Sequence, residues 1–518
     1  TSRIEKMMGD SGSVRAVNNT ELLHHVDAPC IKVEKTQHFL RTHGRLLFLV
    51  RGPPGMGKGI VVDELEQLYP NSRSYWSDKL FTSPMAPERN KETMHKSHVL
   101  CASKIEGFMQ NNVPVIINKS TNVMVWEIEP YLKLASKYAY TVILIDMPNY
   151  VALYPKNLTA ANNKGLNETY FINRVKQWEQ VHPFATGWSP RPEDAARLLE
   201  RFRQLRLVLL KKRCSLDRKS VVDTCVFPFC LARLCLFGRT KVDKDYCCSE
   251  QVKKAYGRSD TLRVFGYAIA QGFVFAMVEL SDDQALLTTG PDGIGCGHRA
   301  DSDLFAGWMR TWEEVPCTVD IAKFTTEGGG GSRQEDWLRR DDKRIKLKDT
   351  PLSRITFMPL GSLDGTKYTY TGAVAAPWRL LSSKLHFWIT QSAAGKVCAK
   401  TVAGIDVYGS RIEGVVLLVD LAVEMDVVFT GYYQPYTTAG SRLNLPQTRN
   451  QYLRRVSRHT CAQKGYMSSW DASVAAEPGD HVATRHALIT ARACDRRRWE
   501  MWRKGNVAHC NSEILVDI

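Results

Sequence analysis

Leu46-Leu47-Phe48-Leu49-Val50-Arg51-Gly52-Pro53-Pro54-Gly55-Met56-Gly57-Lys58 is an apolar run that ends in a glycine-rich turn and a lysine. Leu46 to Val50 has the length and composition of a strand buried on both faces. Gly52 to Lys58 fits the GxxxxGK pattern, and apolar residues at helical spacing follow from Ile60 to Leu68. Strand, turn and helix in this order turn backbone amides and a helix N-terminus toward a phosphate, with Lys58 reaching its outer oxygens. Gly52, Gly55, Gly57 and Lys58 are therefore the candidate phosphate-binding residues, and ATP or another nucleotide is the candidate ligand. The next position of such loops usually carries Ser or Thr to hold magnesium. Here it is Gly59, so a phosphate is expected to bind and magnesium nucleotide to be handled poorly.

Two further apolar runs, Val113 to Ile117 and Thr141 to Asp146, repeat the strand signal with helical segments between them. That alternation predicts a parallel α/β sheet. Asp78, in Tyr75-Trp76-Ser77-Asp78 after the second strand, is placed to orient a hydroxyl nucleophile or a metal; capping a helix is its other reading. From about 190 to 213 the chain reads as a basic helix that bridges two units. Beyond it, 264–280 and 414–433 are strand-rich and separated by turns, which predicts an α+β domain with antiparallel sheets. Between them, 288–381 is polar and holds Gly328-Gly329-Gly330-Gly331-Ser332, the pattern of a flexible insertion. The expected division is an N-terminal arm over 1–40, a P-loop domain over 41–205, a second domain over 206–440 and a basic tail over 441–518.

At 518 residues with 44% apolar content, the chain is long enough for two or three buried cores. A formal charge of +16 favours polyanionic partners, nucleic acid or an acidic membrane surface. No run approaches the roughly 20 apolar residues of a membrane span. The opening TSRIEKMMGDSGSV lacks a secretory stretch, so the expected location is the cytoplasm, with peripheral membrane contact through the basic tail. Cys214, Cys225, Cys230, Cys235, Cys247 and Cys248 cluster without a CxxC pair or a histidine among them, so no metal site is expected.

Arg51 to Lys58, Trp76-Ser77-Asp78, the strands ending at Asn118 and Asp146, and Thr186-Gly187-Trp188 together resemble the polynucleotide kinase-like half of the 2′,3′-cyclic nucleotide 3′-phosphodiesterases of the myelin type. Leu234 to Arg239, Val252 to Tyr256, Val278 to Ser281, and Phe429-Thr430-Gly431-Tyr432-Tyr433 with Gly440-Ser441-Arg442 resemble that family's two-histidine phosphoesterase domain. The resemblance implies hydrolysis of 2′,3′-cyclic phosphates to 2′-phosphates by two His-x-Thr motifs. One histidine deprotonates water, the other protonates the leaving oxygen, the threonines hold the phosphate, and no metal or other cofactor is required. The implied ligands are 2′,3′-cyclic nucleotides or RNA ends.

The motifs depart from that pattern. Where the first should fall the chain reads Phe229-Cys230-Leu231, and where the second should fall it reads Trp388-Ile389-Thr390. His386 would share a strand face with Thr390, which makes His386 and Thr390 the candidate catalytic pair; a histidine beside Phe387 and Trp388 also has a purely structural reading. His481 with Thr484 and His486 with Thr490 match the motif only loosely. The family's prenylation box has no counterpart in Ile514-Leu515-Val516-Asp517-Ile518. Two rival readings accompany hydrolysis: a noncatalytic protein that binds RNA or the cytoskeleton on the same scaffold, and a residual polynucleotide 5′-kinase built on Lys58 and Asp78.

Overall fold

The computed structural model describes residues 19–147, 158–159, 164–211, 228–270, 273–288, 340–341, 350–362, 381, 385, 400–402, 405–410 and 415–433. His386, Thr390, the Gly328–Ser332 segment and the basic tail lie outside these.

Four strands form a wholly parallel sheet: β1 (Leu46–Arg51), β2 (Ser72–Ser74), β3 (Val115–Asn118) and β4 (Thr141–Asp146), in the order β2-β3-β1-β4. Each connection crosses over through a helix, Lys58–Leu68, Lys91–Gln110 and Val125–Lys137 in turn, the connection that parallel strands require. All of β1 is buried, and its side chains alternate between two cores. Leu46, Phe48 and Val50 join Val61, Val62 and Leu65 on one face; Leu47 and Leu49 join Ile105, Met109, Ile128 and Leu132 on the other. Asn90 and Thr93 cap the helix Lys91–Gln110 reciprocally, each side chain accepting from the other's backbone N–H at 2.9 Å.

Residues 22–40, expected to be part of an arm, instead cover this sheet. The short helices Asn19–His25, Pro29–Lys32 and Glu34–Arg41 place Leu22, Val26, Ile31, Phe39 and Leu40 in the core of Phe48 and Val50. Helices of one or two turns contain too few periods to register as amphipathic.

The second sheet is antiparallel. β7 (Ser259–Ala270) and β8 (Phe273–Glu279) pair with each other, and the 18-residue β13 (Val415–Tyr432) pairs with β7 along one edge. Its other edge is shared by β12 (Ile405–Ser410), β9 (Arg340–Asp341) and β5 (Ala185–Pro190), and β5 in turn pairs with β6 (Cys230–Leu234). β11 (Lys400–Val402) extends the β12 side.

Two segments differ from the sequence reading. Ala185–Pro190, placed within 41–205, belongs to the antiparallel sheet through Phe429↔Trp188 and Thr430↔Gly187. Ile355–Ser362, placed within the insertion 288–381, is strand β10 and pairs with β8 at the sheet edge. Pro359, which donates no ladder hydrogen bond, is tolerated there because the register shifts between Pro359 and Gly361 on an edge strand.

Candidate phosphate-binding site

The loop after β1 emerges at the carboxyl edge of the parallel sheet, where open α/β sheets bind ligands. Its glycines adopt backbone angles that side chains disfavour, with φ of 154° at Gly52, 83° at Gly55 and 81° at Gly57. At Gly57 the positive φ strains any other residue, and a Cβ there would lie 2.4 Å from Leu22 Cδ2, which would have to move. Gly57 then caps the helix Lys58–Leu68, whose first turn contains no acidic residue, so its amide dipoles face the loop uncompensated.

Lys58 folds back over this turn. Its ammonium donates to the carbonyl oxygens of Gly52 at 2.5 Å and Pro53 at 2.9 Å. Burial, followed by repulsion from Lys164 and Lys119, lowers its pKa to about 7, with Asp78 and Glu127 opposing. The lysine is thus near its titration midpoint at neutral pH.

Asp78 lies in the first turn of the 3₁₀ helix Ser77–Phe81 that follows β2. Its carboxylate pairs with Arg89 at 2.8 Å and with Lys164. Partial burial acts to raise its pKa, but the two cations outweigh this and hold it below the ordinary carboxylate value. The ion pairs rather than a helix cap are its observed role. Beneath the loop, buried Arg51 donates to Asp146 at 2.9 Å and to the carbonyls of Asn122, Val123 and Glu179. Glu127, also buried, is paired with Arg174 at 2.9 Å.

Of the sequence candidates, Gly52, Gly55, Gly57 and Lys58 form one loop, and Asp78 acts electrostatically on Lys58 across it. Lys164, Arg89 and Lys119 were missed. Lys119 follows the last residue of β3, so the carboxyl-edge rule would have found it. Nothing local marks Lys164, which is 86 residues from the carboxylate it pairs with.

The residue set does not fit magnesium. Gly59 offers no hydroxyl, Asp78 is engaged by two cations, and among the described residues no group of three or more His, Cys, Asp or Glu is placed to hold a metal. The features that suit a phosphate are the helix N-terminus at Lys58, with no acidic residue in its first turn, and the Lys58 ammonium; the Cβ positions of Gly52 and Gly57 are taken up by Met147, Met56 and Leu22.

At the expected position of the first His-x-Thr motif, Phe229, Cys230 and Leu231 are buried at the entry to β6. The Phe229 ring packs on Tyr432 at 5.4 Å, the Leu231 carbonyl accepts from Thr356 Oγ1 at 2.7 Å, and burial drives the Cys230 thiol pKa upward. No described helix is long and apolar enough to cross a membrane.

No family model matches the chain. NEDD4-binding protein 2 of Homo sapiens is 23% identical to it over 137 residues, and the chain spans 8% of that protein's length and 26% of its own. A chain of the Pnkp1/Rnl/Hen1 RNA repair complex aligns over 26% of this chain and 44% of its own length, with 14% identity and a TM-score of 0.23. A fungal RNA kinase aligns over 75% and 99%, with 8% identity and a TM-score of 0.18. The fold therefore rests on strand order and connection: a parallel sheet carrying a phosphate loop, followed by an antiparallel sheet.

Proposed function

We propose that the chain acts on phosphate groups at nucleic-acid ends, as a divergent relative of the cyclic nucleotide phosphodiesterases whose phosphate loop is the working site. The observation that carries this reading is the Lys58 ammonium, held on two loop carbonyls within reach of Lys164, Lys119 and Asp78. Incoming phosphate oxygens replace those carbonyls as acceptors, and their charge restores the proton on Lys58. The net charge of +16 favours polyanionic partners in general.

The 5′-kinase reading is favoured by one specific arrangement, the Asp78 carboxylate, held ionised by Arg89 and Lys164, acting on the lysine. In that reaction Asp78 accepts a hydrogen bond from the 5′-hydroxyl and takes its proton as the new O–P bond forms. The bond from the terminal phosphorus to the departing diphosphate oxygen breaks, and Lys58 stabilises the leaving charge. Because Arg89 and Lys164 keep the Asp78 pKa low, it orients the hydroxyl better than it removes the proton, and transfer is slow. Hydrolysis of cyclic phosphates is the finer proposal. It rests on His386 as the acid or base and Thr390 on the phosphate, without a counterpart at Phe229 or Leu231.

The test compares wild type, Lys58→Met and His386→Ala. The substrates are a 5′-phosphorylated oligonucleotide, a 5′-hydroxyl oligonucleotide with ATP, and an oligonucleotide ending in a 2′,3′-cyclic phosphate. The expected result is phosphate-end binding that falls about 100-fold in Lys58→Met, a loss typical of a buried charged contact, and survives in His386→Ala. Cyclic-phosphate turnover lost only in His386→Ala would move the chemistry to His386. Binding indifferent to Lys58 would overturn the phosphate-loop reading.

A further inference from the structure

Trp76 lies two residues before Asp78, in extended backbone at the entry to the 3₁₀ helix. It belongs to none of the three buried clusters of described residues, so the fold does not use it as core. Instead its ring is half-exposed and carries cations: Lys119 Nζ is 3.9 Å from the ring centroid and Lys79 Nζ 5.0 Å. Lys79 also lies 5.3 Å from the half-buried Tyr75 ring. A few residues on, the Arg89 guanidinium sits 4.3 Å from the Phe81 ring while paired with Asp78. Aromatic faces and basic side chains thus alternate outward from the phosphate loop.

The cations are crowded. Burial lowers the Lys119 pKa, Asp63 and Glu66 oppose it, and smaller repulsions from Lys79 and Lys164 add to the lowering. An anion among these lysines relieves that repulsion. A ring with lysines at its face is the arrangement with which single-stranded nucleic acid is held: the base stacks on the ring and the flanking phosphates take the cations.

We infer that Trp76, with Lys79 and Lys119, is a stacking platform for the terminal nucleoside of a single strand whose end phosphate sits on Lys58. The inference rests on the phosphate-loop reading and names its substrate class. The ligand is an unpaired polynucleotide end, whose base is free to turn onto the ring; in a duplex, pairing and stacking hold the terminal base in the helix, and freeing it costs unpairing energy.

The test uses the full chain and 3′-labelled, 5′-phosphorylated ten-nucleotide strands of RNA and DNA. Each is compared with a strand whose first nucleotide is abasic and with a blunt duplex, and inorganic phosphate serves as competitor. Trp76→Ala should weaken the intact strand about 10- to 100-fold, and Trp76→Phe should recover most of the loss, whichever sugar binds more tightly. The abasic strand should bind weakly to wild type and be indifferent to Trp76→Ala, and Lys58-dependent competition by phosphate should be the same in both proteins. Equal binding of intact and abasic strands, or equal weakening of both by Trp76→Ala, overturns the platform while leaving the phosphate site standing. Base-dependent binding through Trp76 that ignores Lys58 overturns the phosphate site and keeps the platform. Binding of no probe overturns both.

Discussion

The end of β1 and the start of β6 hold the two places where this chain was expected to do chemistry, and they are built in opposite ways. At the first, Lys58, Lys164, Lys119, Arg89 and Asp78 meet at a sheet edge; at the second, Phe229 and Leu231 are 1% exposed and face apolar neighbours. Loops leaving a parallel sheet at its carboxyl edge carry polar side chains that water and ligands can reach, and helix N-termini point there. A buried strand such as β6 has no such freedom. β5 and β6 approach so closely that a Cβ on Gly187 would lie 2.1 Å from the Cys230 carbonyl oxygen. A polar group in that setting needs partners, as Thr186 has in the Tyr246 hydroxyl at 2.9 Å, because burying it without them costs about 1–3 kcal/mol.

If the second region is core and the first is site, substitutions should divide accordingly. Phe229→Ala should cost about 3–5 kcal/mol of stability, measured by urea unfolding, with phosphate binding intact under folding conditions. Loss of binding without loss of stability would make Phe229 part of a site after all. Gly57→Ala should cost about 1–3 kcal/mol, through its positive φ and the contact with Leu22, and should also abolish phosphate binding. A fully stable, phosphate-binding variant would contradict the described loop.

The third test is protonic. Lys58 has a folded pKa of about 7, below its ordinary 10.5, so the unfolded chain binds the extra proton between these values. Stability of the ligand-free protein should therefore rise with pH from about 7 to 10.5, and this rise should be absent in Lys58→Met. Phosphate binding at pH 8 should take up close to one proton, read from binding heats in two buffers of different ionisation enthalpy. Gly59→Ser should change stability least, by less than about 1 kcal/mol, since its Cβ position meets nothing within 4 Å. Its signature should be nucleotide binding that becomes magnesium-dependent.

Leu46 to Lys58 was legible because a buried strand, a glycine turn and a helix each leave a local signature: a continuous apolar run, residues free to take positive φ, and 3.6-residue spacing. The same local rules predicted strands at Val113–Ile117 and Thr141–Asp146 and the strand-rich stretches 264–280 and 414–433. Periodicity reports burial, however, and does not name the partner. Ala185–Pro190 reads the same whether it closes the first unit or pairs with Val427–Tyr432 more than two hundred residues later. Ile355–Ser362 was hidden by the polar composition around it and by Pro359, which only an edge position accommodates. The strand, glycine turn and helix around Lys58 were thus legible in the sequence alone. The Lys164 and Arg89 cations that hold Asp78 ionised, and the burial that, ahead of Lys164 and Lys119, lowers the Lys58 pKa, were decided by tertiary structure, because burial and Coulomb forces depend on distances in space that sequence separation does not encode.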